Sequence, residues 1–265
     1  MSDRWRIKTG DPFPGSTSYV APGVDEAGVE VVLKLAARGP EVLAEIHALR
    51  AYAGGASVRL LDCDEARGGL LLERLRPGAS LASLQDDEQA TRIAAGVIRD
   101  LWRPLPAGHS FPSAADWFAD LKKLRERFGG GAGPFPLRLV EMAEAESRDL
   151  LSSQEPPLLL HGDLHHYNIL SAERRPWVAI DPKGLAAEPA YEGGALLRNP
   201  TPRLFTNLDI QRRRIKVLAE ELTLDSQRIK AWAIAQGVLA AWWSYEDGEP
   251  DWEAFLECAE MLARV

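Results

Sequence analysis

Residues 158–170 read LLLHGDLHHYNIL and residues 177–184 read WVAIDPKG, and these two stretches decide the fold of the chain. In the first stretch, Asp163 stands five positions before Asn168, between two apolar runs. In the second, Asp181 directly follows a strand-like apolar run and lies thirteen positions after Asn168. The pattern predicts a short loop-and-strand segment that carries two carboxylates and an amide.

The three side chains have the chemistry that phosphoryl transfer from ATP requires. A carboxylate such as Asp163 can take the proton of an acceptor hydroxyl, and the oxygens of Asn168 and Asp181 are hard ligands that match Mg²⁺. This reaction needs positioning and charge neutralisation more than covalent help from the protein. We therefore predict an ATP- and Mg²⁺-dependent kinase of a small molecule.

The composition favours a folded chain whose partner is a small molecule. With 265 residues, 46% hydrophobic and 26% charged, the chain is long enough for one large domain or two lobes with a core. The net charge of −8 argues against a nucleic-acid partner. An acidic surface also helps to attract a cationic acceptor.

The cysteines and the N-terminus indicate the compartment. Cys63 and Cys258 are far apart and form neither a disulfide nor a metal-binding pattern, which fits a reducing environment. The N-terminal residues contain no apolar core of a signal peptide. No run approaches the roughly 18 apolar residues of a transmembrane helix. We therefore expect a cytoplasmic protein with no membrane partner.

Strand-like and helical patterns divide the chain into two parts. β-rich stretches near residues 18–20, 29–35, 58–61 and 70–75 surround one helical stretch at residues 40–50. The later part is mainly helical, with apolar residues at helical spacing near residues 93–102, 117–128, 137–151, 209–222, 226–244 and 251–264.

These patterns predict an N-terminal lobe and a C-terminal lobe. The N-terminal lobe comprises residues 1–75 and the C-terminal lobe residues 76–265, with a hinge near residues 73–80. Asp225 and Asp251 are the expected N-caps of the last two helices.

The two opening stretches resemble those of a known enzyme family. HGDLHHYN (161–168) is similar to the catalytic loop of the aminoglycoside phosphotransferase branch of the protein-kinase-like fold, in which Gly replaces the Arg of eukaryotic kinases. Together with IDPKG (180–184) and WWSYEDG (242–248), it resembles the streptomycin phosphotransferase and hydroxyurea phosphotransferase group. The resemblance implies an α+β, bilobal protein-kinase-like fold with a small β-sheet N-lobe carrying one helix and a larger, mainly helical C-lobe.

The resemblance also assigns roles to individual residues. Asp163 matches the catalytic base, and Asn168 and Asp181 match the ligands of Mg²⁺. The segment from Glu73 to Leu75 matches the connection whose backbone reads the adenine of ATP.

Further nucleotide contacts are expected in the N-terminal lobe. Lys34 matches the strand lysine that contacts the α- and β-phosphates. Glu45 is the helix carboxylate expected to pair with it, and Glu41, one turn earlier, is the alternative. The phosphate-covering loop departs from the glycine-rich pattern of protein kinases, and a Ser/Thr-rich turn with Ser16 and Thr17 takes its place.

Four residues around the motif are candidates for contacts near the transferred group. His165 or His166 is expected to approach the acceptor or a phosphate. Lys183 either neutralises the transferring charge or fixes Asp181, and a solvated lysine in a turn is the alternative. Glu192 matches an acidic residue that braces the catalytic loop in related kinases.

The acceptor is expected to bind on the helical lobe, near the end of its second-last helix. Trp242, Glu246 and Asp247 offer an aromatic face and carboxylates, which suit guanidinium or ammonium groups. Trp243 points about 100° away from Trp242 on a helix, so at most one of the two lines the pocket. The alternative is a core tryptophan followed by a solvated acidic turn.

Streptomycin is the leading acceptor, and an amino sugar or hydroxyurea is the alternative. Two other classes of function are alternatives to a small-molecule kinase. A catalytically idle nucleotide-binding module would bind ATP without turnover. A zinc or di-metal hydrolase would use His161, Asp163, His165 and His166, but their order does not match the expected metal-ligand spacing, and Asn168 would have no role.

Overall fold

A computed structural model of the protein describes residues 2–14 and 18–265. Its N-terminal part is built around an antiparallel sheet. Helix α1 (Ser2–Trp5) precedes five strands, which are hydrogen-bonded in the order β1-β2-β3-β5-β4. These strands are β1 (Lys8–Thr9), β2 (Tyr19–Val24), β3 (Glu30–Leu35), β4 (Leu60–Asp64) and β5 (Gly69–Glu73).

Helix α2 (Pro40–Tyr52) connects β3 to β4 and is buried on two faces. Pro40 suits the first turn, where its missing N–H is not needed, and Ala53 ends the helix with a left-handed φ of 50°. One face packs with the sheet through Val42, Ile46 and Leu49. The opposite face joins the core of the helical lobe through Ala44, Ala48 and Tyr52. A helix that is apolar on both faces is typical of a position between two cores.

Two three-stranded antiparallel sheets hold the motif stretches. Their orders are β10-β9-β6 and β11-β8-β7. The strands are β6 (Pro77–Ser80), β7 (Arg103–Pro104), β8 (Leu158–Leu160), β9 (Ile169–Ala172), β10 (Arg175–Ala179) and β11 (Leu185–Ala187). Residues 161–168 therefore connect β8 to β9, and residues 180–184 connect β10 to β11. We call the first connection the catalytic loop.

In addition to the covalent connection, hydrogen bonds link the N-terminal sheet region to the helical lobe. The amide of Val58 donates to the carbonyl of Ala179 at 2.8 Å, and the amide of Ala179 donates to the carbonyl of Ala56 at 2.7 Å. The loop after α2 is thus hydrogen-bonded along β10. Arg174 adds side-chain bonds to the carbonyls of Gly55 at 2.6 Å and Ser57 at 2.7 Å.

The rest of the described chain is mainly helical, with α10 at its centre. Trp232 and Trp242 of α10 are fully buried, and α10 packs against α6, α7 and α11. None of the helices in the described part combines the length and apolar character that crossing a bilayer takes. The helices are α3 (Asp87–Leu101), α4 (Ala114–Phe118), α5 (Asp120–Arg127), α6 (Leu137–Ser152), α7 (Gly193–Leu197), α8 (Pro202–Phe205), α9 (Leu208–Leu222), α10 (Ser226–Glu246) and α11 (Trp252–Leu262).

Some local expectations need correction. The helix predicted at residues 117–128 is two helices, α4 and α5, which meet at Ala119. The strand predicted at residues 58–61 begins at Leu60, because Val58 is hydrogen-bonded to β10 instead. Asp225 caps α10 through the amide of Gln227, whereas Asp251 makes no side-chain cap, since its φ of −101° and ψ of 18° are not extended.

Candidate active site

Buried Glu192 fixes the start of the catalytic loop. Its carboxylate accepts hydrogen bonds from the amides of His161 at 2.7 Å and Gly162 at 2.9 Å. Burial raises the pKa of Glu192 to about 7. Gly162 has a left-handed φ of 86°, and a Cβ there would lie 3.1 Å from both Leu185 and the Trp117 ring. The loop therefore requires glycine after His161.

The His161 ring joins the catalytic loop to the segment around Asp181. Its Nε2 donates to the carbonyl of Ile180 at 2.8 Å, and its Nδ1 accepts the amide of Asp163 at 3.3 Å. Burial lowers the pKa of His161 to about 4, so the ring is neutral at pH 7. The amide of Ile180 also donates to the carbonyl of Asn168 at 2.9 Å. These bonds bring both motif stretches into one site.

The carboxylate of Asp163 is partly exposed, with 29% of its side chain accessible. Its Oδ1 lies 3.2 Å from the guanidinium of Arg198, and its Oδ2 lies 3.7 Å from Nε2 of His165. The side-chain amide of Asn168 donates to the Asp163 carbonyl at 3.0 Å. Burial acts to raise the pKa of Asp163, but the charges of His165, Arg198 and Lys183 outweigh it and lower the pKa below its ordinary value. The carboxylate is therefore ionised at pH 7.

Asp181 is held by two lysines. Lys34 contacts its Oδ1, and Lys183 lies 3.1 Å from its Oδ2. Burial opposes ionisation, yet the charges of the two lysines lower the pKa of Asp181 to about 2. Lys34 is buried and also bonds both carboxylate oxygens of Glu45, at 2.7 and 2.8 Å. Glu41 makes no such contact and lines the neighbouring cavity.

The donor set beside the lysines fits Mg²⁺. Asp181 supplies a carboxylate and Asn168 an amide oxygen, the hard ligands that Mg²⁺ takes in small number while keeping several waters. The described residues contain no group of three or more His, Cys, Asp or Glu side chains that would hold a metal. The four residues of the hydrolase hypothesis also fail to converge, since the His161 ring bonds backbone atoms and the His166 ring is buried elsewhere.

A cavity of about 830 Å³ opens over Asp163. Asp163 and three groups that act on its charge line the cavity, and we call this part its floor; the three are His165, Lys183 and Arg198. Trp117 and Trp243 line one wall, with their rings edge to face at 5.6 Å. The remaining charged lining residues are all acidic, and they are Glu41, Asp120, Glu246, Asp247 and Glu249. We call these five residues the acidic rim.

The prediction that Trp242 lines the acceptor cavity is wrong. Trp242 is 1% exposed and packs among Phe128, Phe135 and Tyr245, because it faces the core side of α10. Trp243 lines the cavity instead and donates its indole N–H to Asp120 at 2.9 Å.

The ring of His166, within the catalytic loop, is also buried and does not line the cavity. Burial and the nearby charge of Arg214 lower its pKa to about 3. The predicted contacts His165, Lys183, Glu246 and Asp247 do line the cavity, whereas Glu192 supports the catalytic loop from behind.

The predicted adenine and phosphate segments are only partly described. Glu73 ends β5 and binds Arg174 at 2.6 Å, so its side chain fixes the connection between the lobes. Leu75 is buried against the sheet core. Ser16 and Thr17, predicted to hold phosphate, lie outside the described residues.

Sequence reasoning misses Arg198 and Gln236. Arg198 follows an apolar helical turn with no recognisable motif, 35 residues after Asp163. Gln236 lies in the middle of α10 and is 3% exposed. A polar residue inside an otherwise apolar helix was the available signal, since buried polar groups are almost always bonded.

Comparisons with known proteins agree with the geometry. A sequence model of the family described as aminoglycoside/hydroxyurea antibiotic resistance kinase matches residues 4–248. Streptomycin 6-kinase of Streptomyces griseus is 34% identical over 260 residues, which cover 93% of this chain and 81% of that protein. Hydroxyurea phosphotransferase of Kitasatospora aureofaciens is 34% identical over 261 residues, which cover 93% of this chain and 72% of that protein.

The fold is also that of solved kinases. A thermostable mutant of aminoglycoside phosphotransferase APH(4)-Ia, in ternary complex with ADP and hygromycin B, matches with a TM-score of 0.71 at 16% identity. The match covers 99% of this chain and 96% of that one, and it confirms the predicted α+β, protein-kinase-like fold. The chain belongs to the aminoglycoside/hydroxyurea antibiotic resistance kinase family and is a phosphotransferase that acts on a hydroxyl group.

Proposed function

We propose that the protein transfers the γ-phosphoryl group of ATP to a hydroxyl of an aminoglycoside, with streptomycin as the leading candidate. The observation that carries this proposal is the ionised Asp163 at the floor of a cavity with an acidic rim. Support comes from the relatives, which are a streptomycin 6-kinase and a hydroxyurea phosphotransferase, and from the ADP bound in the structural neighbour.

In this mechanism Asp163 orients the acceptor hydroxyl and takes its proton. The hydroxyl oxygen forms a bond to the γ-phosphorus while the bond between that phosphorus and the bridging oxygen of ADP breaks. The products are the phosphorylated acceptor and ADP. The carboxylate suits this role because it is ionised at pH 7 and partly exposed to the cavity.

The remaining candidate residues of the site act on the nucleotide. Lys34 is fixed by Glu45 and can turn from Asp181 to the α- and β-phosphates of ATP. Lys183 can neutralise the charge of the transferred phosphoryl group. Asp181 and Asn168 would hold Mg²⁺, which neutralises phosphate charge when bound. We further propose that residues 1–75 bind the nucleotide, with the backbone of Glu73 to Leu75 at the adenine, and that residues 76–265 carry the acceptor site.

The acidic rim selects a cationic acceptor. Its five carboxylates exceed the two positive charges of the cavity floor, Lys183 and Arg198. Streptomycin carries guanidinium groups. A guanidinium can form two parallel hydrogen bonds to one carboxylate and can stack on an aromatic face such as that of Trp243. The positively charged groups of the acceptor would therefore lie at the rim, while its reacting hydroxyl lies at the floor.

A coupled assay of ADP release tests the proposal with streptomycin, other aminoglycosides, amino sugars and hydroxyurea as acceptors. We expect turnover with streptomycin and a loss of about 100-fold or more in kcat for Asp163→Asn. Near-wild-type turnover by Asp163→Asn would remove Asp163 from the catalytic role. If streptomycin gives no turnover and an amino sugar does at the same concentration, the amino sugar is favoured as the acceptor.

Hydroxyurea is the second candidate acceptor, because its phosphotransferase is as similar to this chain as the streptomycin enzyme is. Hydroxyurea is small and uncharged, so its turnover should not depend on the acidic rim. Glu246→Gln with Asp247→Asn separates the candidates: the KM of streptomycin rises, and that of hydroxyurea stays the same. A thermal shift with Mg-ATP but no turnover of any acceptor would indicate the idle nucleotide-binding module.

A further inference from the structure

Arg198 is a buried cation that contacts the proposed base directly. It follows α7, and only 13% of its side chain is exposed. One terminal nitrogen donates to Oδ1 of Asp163 at 3.2 Å, and the other donates to Oε1 of Gln236 at 3.2 Å. The guanidinium is therefore fixed between the catalytic loop and α10, rather than free to follow a ligand.

Gln236 is itself held in one orientation. Its side-chain NH₂ donates to the carbonyl of Tyr191 at 2.7 Å, which leaves Oε1 to accept from Arg198. Gly194, on the facing helix α7, makes room for this amide, because a Cβ there would lie 2.2 Å from Oε1 of Gln236. Even alanine at position 194 would displace Gln236, so the contact is built into the packing of α7 on α10.

The segment that carries Arg198 is also fixed from behind. Fully buried Arg214 of α9 donates to the carbonyl of Asn199 at 2.6 Å and to that of Leu196 at 3.4 Å. The other side of its guanidinium is bound to Asp87 of α3. The backbone on both sides of Arg198 is thus anchored to two helices of the lobe.

The two oxygens of Asp163 have different surroundings. Oδ1 is occupied by Arg198, whereas Nε2 of the His165 ring lies 3.7 Å from Oδ2, beyond hydrogen-bond distance. Oδ2 is therefore the oxygen available to the acceptor hydroxyl. The titratable and charged groups that face Asp163 are His161 and His165 of its own loop, Lys183 after β10, and Tyr191, Glu192 and Arg198 around α7.

We propose that Arg198, held by Gln236, is a positioning residue that binds Oδ1 of Asp163 and so presents Oδ2 as the atom that takes the acceptor proton. This inference rests on the proposed function for its kinetic consequence. Its geometric consequence, the orientation of the Asp163 carboxylate, is independent of the acceptor.

Variants at Arg198 and Gln236 test the kinetic consequence. Arg198→Met should lower kcat by about 10- to 100-fold with the KM of ATP unchanged, because the base loses its orientation while the nucleotide site is intact. Arg198→Lys should recover only part of kcat, since lysine keeps the charge but cannot bridge both partners. Gln236→Met should lower kcat less than Arg198→Met does, because Arg198 keeps its contact with Asp163.

Arg203→Met is the matched control, because Arg203 is an exposed arginine of the nearby helix α8. It removes the same charge and should leave kcat and the KM of ATP at wild-type values. The melting temperature of each variant shows whether the fold is retained. An Arg198→Met enzyme with wild-type kcat, or with a KM of ATP that rises as much as kcat falls, would contradict the proposal.

Crystal structures of the variants decide the positioning without any acceptor. The Asp163 carboxylate should leave its wild-type orientation in Arg198→Met and keep it in Arg203→Met. An unchanged carboxylate orientation in Arg198→Met overturns the inference, whereas failure to turn over any acceptor overturns only the proposed function.

Discussion

At the scale of single residues, Asp181 combines an unusual backbone conformation with a strong electrostatic environment. Its φ of 59° is left-handed, a region that costs most residues energy and that aspartate tolerates better than others. The conformation turns the carboxylate toward Lys34 and Lys183, which lower its pKa to about 2. The energy gained from two ammonium contacts thus offsets the backbone cost at the residue that we expect to bind metal.

Gly162 permits a direct prediction about the catalytic loop. Gly162→Ala places a Cβ 3.1 Å from Leu185 and Trp117 at a φ of 86°, so we expect a loss of about 1–3 kcal/mol in the free energy of unfolding. Gly96→Ala in α3 is the control, because nothing lies within 4 Å of its Cβ, and it should stabilise the protein by about 0.5–1 kcal/mol. Urea denaturation measures both values, and equal stability of the two variants would contradict the prediction.

The buried histidines predict how stability depends on pH. Unfolded histidine binds a proton near pH 6.5, whereas the pKa of folded His161 is about 4 and that of His166 about 3. Between those values the unfolded chain binds more protons than the folded one, so stability rises with pH and is lost as the pH falls below 6.5.

His166→Leu tests this dependence. The slope of unfolding free energy against pH between pH 4.5 and 6.5 should decrease by about one proton, because one of the two histidines no longer titrates. Urea denaturation across that range gives the slope. A slope equal to that of the wild type would mean that His166 is protonated in the folded state.

At the scale of the elements, one arginine reinforces the backbone link between the loop after α2 and β10. Arg174 bonds Glu73 and the carbonyls of Gly55 and Ser57. We expect Arg174→Met to reduce the free energy of unfolding by about 1.5–3 kcal/mol, because it leaves a half-buried carboxylate and two carbonyls without their donor. Arg175→Met removes a neighbouring arginine whose partner, Asp100, is exposed, and it should cost less than about 1 kcal/mol. Similar losses in both variants, measured by urea denaturation, would contradict this.

The sequence predicts elements better than the contacts between them. Helices such as α6, α9 and α10 were readable from apolar spacing, and the motif brings Asp163, Asn168 and Asp181 together because both stretches end short strands. The contact between Arg198 and Asp163 was not readable, because it depends on how α7 packs on α10. Trp242 and Trp243 show the same limit: spacing says that they diverge, but only packing decides that Trp243 faces the cavity.

At the scale of the whole molecule, charge is distributed to suit a small cation. The net charge is −8, and the cavity is lined by the five carboxylates of the acidic rim as well as by Lys183 and Arg198 beside Asp163. A cleft lined by one sign of charge attracts ligands of the opposite sign, and salt weakens that attraction. The arrangement separates recognition at the rim from chemistry at the floor.

This separation predicts a dependence on ionic strength. Raising the salt concentration from about 0.05 to 0.5 M should increase the KM of a cationic aminoglycoside several-fold, because the Debye length shortens from roughly 14 Å to 4 Å. The KM of hydroxyurea should not change, since it is uncharged. The double variant Glu246→Gln with Asp247→Asn should show a weaker dependence of the aminoglycoside KM on salt concentration. Steady-state kinetics measures this dependence. An unaltered dependence in that double variant would place the recognition charges elsewhere.

The burial of α2 between two cores has a consequence for control of the enzyme. Protein kinases can be switched off by swinging the corresponding helix outward, which separates its glutamate from the strand lysine. Here one face of α2 belongs to the core of the helical lobe, and the loop that follows it is hydrogen-bonded to β10. Glu45 and Lys34 therefore stay engaged without any activating signal, and we infer a constitutive catalyst whose output follows the supply of its two substrates.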